Sequence, residues 1–247
     1  MKKYENGIDN RPDPKPRKRP QLWQAYLLWD ELVKMRMRHT LRLSSIDAGK
    51  SNLDGPTESL FIEEMNLDNM IELKKKIMSD LGAELMPDVW QWITSIRGLG
   101  AGGLAAQLLA QIDDITSFAN VSKLWRFSGY AVIDGERERP KAGETLHYNA
   151  RLKSIVFLIV DQFIRQQTTG YVEIYYAEKE RQRKLHPMPE NGKYSDGHIH
   201  AMAMRKTGKI FLQHLWLMWR EAEGLPTNEP YAIAVLGHSD YIKPSHQ

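Results

Sequence analysis

The sequence predicts a mainly α-helical protein, with a long antiparallel helical hairpin followed by a helical domain that contains a helix-hairpin-helix. Three observations predict it. Apolar residues recur at steps of three or four along most of the chain, the period of a single buried stripe on a helix. No run alternates with period two for long enough to demand a sheet, although Tyr130 to Ile133 and Tyr171 to Tyr175 have the composition of short strands. Four glycines, Gly98, Gly100, Gly102 and Gly103, fall within six residues between two helical stretches, where the chain must turn back sharply.

The first segment is not helical. Residues 11–20, RPDPKPRKRP, hold four prolines and five basic side chains without one hydrophobic residue, so residues 1–20 read as an extended basic arm. Such an arm suits a phosphate backbone and equally suits a solvated leader. From Leu22 the pattern changes: Leu22, Tyr26, Trp29, Val33, Met37 and Leu41 mark one helix to about Ser45. After Gly49, Asn52, Gly55 and Pro56, a second helix capped by Thr57 or Ser59 should bury Leu67, Met70, Ile71, Ile77, Met78 and Leu81. Residues 21–86 then form the hairpin. Periodicity fits both a hairpin packed on its own chain and an oligomerisation coiled coil through residues 22–81.

Pro87 opens a short helix, PDVWQWITSI, and a further helix resumes through Leu104, Leu108 and Ile112. Two long helices follow, one with Leu152, Val156, Ile159 and Phe163 on its apolar face, the other with Ala203, Thr207, Ile210, His214 and Leu217. The domain plan is therefore arm 1–20, hairpin 21–86, helix-hairpin-helix domain 87–225 and tail 226–247.

Composition excludes some classes and leaves others open. The absence of cysteine removes disulfide and thiolate-metal frameworks and suits a reducing compartment. The N-terminus has no apolar stretch, and the most apolar run, Ile155 to Val160, is far below the roughly 18 residues of a membrane helix. A cytoplasmic protein without membrane contact is expected, nucleoid-associated in a bacterium. A net charge of +3 from 34 basic and 31 acidic residues does not by itself establish nucleic-acid binding.

The motif with chemical content is Ile96-Arg97-Gly98-Leu99-Gly100 between two helices. Glycine tolerates the backbone angles of a tight reversal, and without side chains it lets a phosphate reach backbone N–H groups at the second helix's N-terminus. Arg97, Gly98, Leu99, Gly100, Gly102 and Gly103 are thus candidate DNA-contact residues. A glycine-rich helix connection can also be a turn and nothing more.

Four blocks in order resemble the C-terminal transposase domain of bacterial insertion-sequence transposases of the IS-110, IS-116 and IS-902 group. They are ITSIRGLGAGGLAAQLLAQI, IDDITSFANVSKLWRFSGYAV, HYNARLKSIVFLI and HAMAMRKTGKIFLQHLWLMW. The resemblance implies DNA binding in transposition or recombination, on duplex or branched DNA, and leaves open whether a guide RNA or a RuvC-like partner takes part. It also implies a RuvC-like domain with metal-binding carboxylates and a serine nucleophile between the second and third blocks. Neither is evident. Only 21 residues precede Leu22, too few for such a domain, and Ala131 to Tyr148 contains no serine. Ser128 and Thr145 are the weak substitute nucleophiles.

The same interval carries Arg137, Arg139 and Lys141, flanked by Lys123 and Arg126 before it and by Arg151 and Lys153 after it, a second candidate DNA-contact region facing the competing reading of a solvated loop. His198 and His200, with His186 and His214, invite a zinc reading. A two-residue step on a helix points them apart, so solvated or capping histidines are expected and no metal is assigned. Magnesium enters only through a RuvC-like partner acting in trans. Seven tryptophans read mostly as core, with Trp125 beside Arg126 kept as a base-stacking candidate. Residues 178–184, EKERQRK, read as a solvated helix face. The expectation is a DNA-binding protein without autonomous catalysis; its rivals are a minimal recombinase and a helical protein-interaction module.

Overall fold

The computed structural model describes residues 16–100, 103–132, 143, 145–187 and 194–227. The protein is mainly α-helical, and the described residues contain no strand. Among them no helix is long and apolar enough to cross a membrane. The helices are α1 (Pro20–Asp47), α2 (Gly55–Glu64), α3 (Leu67–Leu85), α4 (Pro87–Ser95), α5 (Leu104–Ile112), α6 (Val121–Phe127), α7 (Ala150–Arg165), α8 (Tyr171–Leu185) and α9 (Asp196–Ala222), with a 3-10 turn at Ile115–Ser117 before α6.

The chain divides after Asp113 into two compact units, not between residues 86 and 87 as the sequence suggests. Arg19–Asp113 form the N-terminal unit. The reason is α5, whose residues Ala105 to Ile112 are all buried. A helix buried along its length, Gln107 and Gln111 included, must be enclosed, and α1, α3 and α4 pack on it. The two helices of the glycine hairpin thus belong with the preceding helices. Gly82 on α3 permits the contact with α4: a Cβ there would stand 2.5 Å from the Trp90 ring.

Within this unit the single second helix expected from Thr57 or Ser59 onward is two. Asp54 caps α2, its carboxylate accepting from Thr57 N–H at 2.9 Å. The helix then breaks at Asn66, which adopts φ 48, a left-handed conformation that asparagine enters more readily than most residues. Leu67 and Met78 are buried as expected, whereas Met70 is exposed. On α1, Leu22 and Tyr26 are buried while Met37 and Leu41 are 58% and 64% exposed, so the stripe is covered only in its first half. The basic arm is tethered where it is described: Arg19 is buried, its N–H donating to the Asp113 carboxylate at 2.9 Å and its guanidinium to the Asp113 carbonyl.

The C-terminal unit comprises the described residues from Asp114 on, together with 16–18. Lys18 pairs there with Glu223 at 2.5 Å and lies 3.6 Å from Asp114. Its frame is α7, α8 and α9, packed on one another, with α6 against α9. The expected stripes are buried: Leu152, Val156, Ile159 and Phe163 on α7, and Ala203, Thr207, Ile210 and His214 on α9. Asn149 and Ser195 cap these helices, accepting from Leu152 and His198 N–H.

The run Tyr171 to Tyr175 is the start of α8 and not a strand. Tyr171, Tyr175, Glu178 and Gln182 are buried along one helical face, and the Glu173 carboxylate accepts the Gly170 N–H at 2.6 Å. Burial against α9 and this cap override the strand composition of the segment. The following residues are not uniformly solvated either: Glu178 is buried with both carboxylate oxygens engaged by Arg181, and Gln182 donates to it. Tyr130 to Val132 form no strand, and Ile133 lies outside the described residues.

Candidate nucleic-acid interface

The glycine turn is built by the helices it joins. Pro87 starts α4, and the chain leaves it into a tight turn in which Leu99 N–H donates to the Ile96 carbonyl at 3.0 Å. Gly98 occupies φ 92, a conformation that costs a side-chain-bearing residue of order 1 kcal/mol or more. Leu99 is 1% exposed and anchors the loop in the N-terminal unit, while Arg97, Gly98 and Gly100 lie at the surface. This alternation is what a helix-hairpin-helix needs: one apolar anchor between two exposed stretches of backbone.

Gly100 differs from the sequence expectation. Its φ is not positive, and a Cβ there would meet nothing within 4 Å. A Cβ at Gly100 therefore projects into open space without straining the turn, and among the described residues of the hairpin the positive-φ demand falls on Gly98 and Gly103. Gly102 lies outside the described residues. Gly103 is buried at φ 31 beneath the Lys75 side chain, whose methylene carbons would lie 3.7 Å from a Cβ there. Lys75, paired with Glu72 at 3.1 Å, is a basic residue at the mouth of the hairpin that sequence spacing does not reveal, because α3 is distant along the chain.

In the C-terminal unit, Lys123 and Arg126 are exposed on α6, and Arg151 is exposed in the first turn of α7. Lys153 is half-buried, its Nζ 3.2 Å from the Tyr148 hydroxyl and 4.3 Å from that ring's centroid. Arg137, Arg139 and Lys141 lie outside the described residues. Trp125 is not a free stacking surface: its indole N–H donates to the Lys209 carbonyl at 3.0 Å, and the Lys209 ammonium covers the ring at 4.1 Å.

Ser128 cannot serve as a nucleophile in this arrangement. It is fully buried at the end of α6, and its hydroxyl donates to Leu124 O at 2.8 Å, with Trp125 O at 3.2 Å. The residue reads as reactive in sequence only because a buried helix-terminal hydroxyl and an exposed one look alike there. Thr145 is exposed.

The histidines are dispersed among aromatic partners. His214 Nδ1 meets the buried Tyr171 hydroxyl at 2.9 Å, His200 Nδ1 meets the Tyr175 hydroxyl at 2.6 Å, and His186 and His198 both pack on Tyr194. Among the described residues no group of three or more potential ligands is placed to hold a metal ion. Comparison with known proteins finds no matching family model, curated protein or solved structure.

Proposed function

We propose that the protein binds DNA through its phosphate backbone, using the α4–α5 hairpin as one contact, and acts in transposition or recombination without a catalytic centre of its own. The observation that carries the reading is the turn itself: exposed backbone at Gly98 and Gly100, held by a buried Leu99 between two packed helices. Contacts of this kind position DNA and carry little sequence information. Exposed Lys123, Arg126 and Arg151 add cationic surface in the C-terminal unit. The link to transposition rests on the four sequence blocks. Ser128 is buried and supplies no nucleophile; the alternative, an active recombinase, would need the exposed Thr145 or a RuvC-like partner acting in trans. Titration of labelled duplex and branched DNA at about 50 and about 200 mM salt tests the reading. Binding of both with affinity falling steeply between the two salts is expected; no binding at the lower salt overturns it.

A second reading, a helical protein-interaction module, is favoured by one observation. Met37 and Leu41, four apart on α1, and Met70 and Leu73, three apart on α3, are exposed large hydrophobic side chains, more than isolated surface apolar residues account for.

A further inference from the structure

Helix α9 carries three cations in little more than one turn, Arg205, Lys206 and Lys209, and their surroundings differ. Arg205 Nη2 donates to the Tyr130 and Ala131 carbonyls, both at 2.8 Å, and its guanidinium lies 5.8 Å from the Tyr130 ring centroid. Lys206 lies close enough to Glu178 to help hold that carboxyl below its ordinary range. Among the described residues the Lys209 ammonium has an aromatic partner and no carboxylate. Its ammonium sits 4.1 Å from the Trp125 ring centroid, while the indole N–H of the same ring donates to the Lys209 backbone carbonyl. The ring is thus bonded to the residue whose side chain covers it, and ammonium and indole are fixed together.

Among the described residues no carboxylate pairs with Lys209. Burial, with the charges of Arg205 and Lys206 beside it, pushes its pKa down to about 8. Like charges a turn apart repel, and a half-buried ammonium with no counter-ion among the described residues is costly. A methionine would cover the same ring without either penalty. On α6 the exposed Lys123 and Arg126 flank Trp125 in sequence and extend the cationic character beyond one charge, which suits a polyanion better than a single carboxylate.

We propose that Lys209, held on Trp125 between α6 and α9, is an anion site that takes a phosphodiester of a nucleic-acid strand, with Arg205 contributing to the field. The inference rests on the DNA-binding reading and extends it to a residue of α9 that the hairpin argument does not touch. Lysine on an indole gives a point-charge contact to phosphate with no base recognition.

The full-length chain and its Lys209→Met variant test the site, with Lys184→Met, at an exposed position of α8, as the charge control. The expected Lys209→Met protein melts at or above the parent temperature and binds duplex DNA several-fold more weakly. Its slope of log affinity against log salt is lower by about 0.9, the loss of one phosphate contact. Lys184→Met keeps the parent slope. An unchanged affinity and slope in Lys209→Met overturns the inference while leaving the hairpin reading intact.

A second measurement is independent of DNA affinity. Lys209 is acylated with an amine-reactive ester, and its modification is read against Lys184 by mass spectrometry in the presence of inorganic pyrophosphate or of the duplex. Protection of Lys209 by the duplex upholds the site. Protection by pyrophosphate alone overturns the nucleic-acid assignment in favour of a free phosphate, and protection by neither overturns the anion site altogether.

Discussion

Ser128 and Lys209 show how little residue type says about role. Ser128 closes α6 with its hydroxyl on the helix carbonyls, a structural task that removes it from chemistry. Lys209 sits in a helix recognisable from Ala203, Thr207, Ile210 and His214, yet its pairing with Trp125 spans 84 positions of sequence and has no local signal. Its depressed pKa has a thermodynamic consequence. Between about pH 8 and pH 10 the unfolded chain keeps a proton at Lys209 that the folded chain has lost, so stability rises with pH through that window. Above about pH 10 the buried Tyr130 and Tyr171 act in the opposite sense, because burial raises their pKa and the folded chain keeps protons the unfolded chain gives up. Lys209→Met should therefore melt above the parent near neutral pH, with the advantage shrinking towards about pH 9.5. A melting difference that does not change over this range would mean that Lys209 is not desolvated as described.

At the scale of elements, helices are legible where one face is apolar and the termini carry their own signals. The Leu152 to Phe163 stripe behind Asn149 marks α7, and Pro87 marks the start of α4. Two features are not legible, for different reasons. Tyr-Val-Glu-Ile-Tyr-Tyr has strand composition, and only its burial on α9 and the Glu173 cap make it helical. The break at Asn66 has neither glycine nor proline to announce it. The apolar stripe of α1 is legible, but its sequence does not say that Met37 and Leu41 are uncovered. If these residues serve the interaction-module reading, Met37→Glu with Leu41→Glu should abolish self-association in sedimentation or light scattering and leave helix content unchanged. A parent that is monomeric throughout removes that reading for self-association.

At the scale of the whole molecule, the fold class follows from periodicity, whereas the division at Asp113 does not. Residues 87–112 read in sequence as the opening of a domain that continues downstream, but α5 is buried from Ala105 to Ile112 and packs with α1, α3 and α4. Within the candidate interface, Gly98 as the turn and Leu99 as the apolar member of the motif were legible. The open space at Gly100 and the cover of Lys75 over Gly103 depend on helices distant in sequence and were not. The central claim is that exposed turn backbone meets phosphate, and Gly100→Val tests it most directly. A Cβ there meets nothing within 4 Å among the described residues and the position has no positive φ, so the melting temperature should stay near the parent value. On the proposed reading its β-branched bulk obstructs a phosphate approaching the exposed turn backbone. The account predicts DNA affinity about tenfold lower at low salt, equivalent to about 1.4 kcal/mol. A folded Gly100→Val protein that binds DNA as the parent does would contradict it and leave the hairpin as a turn alone.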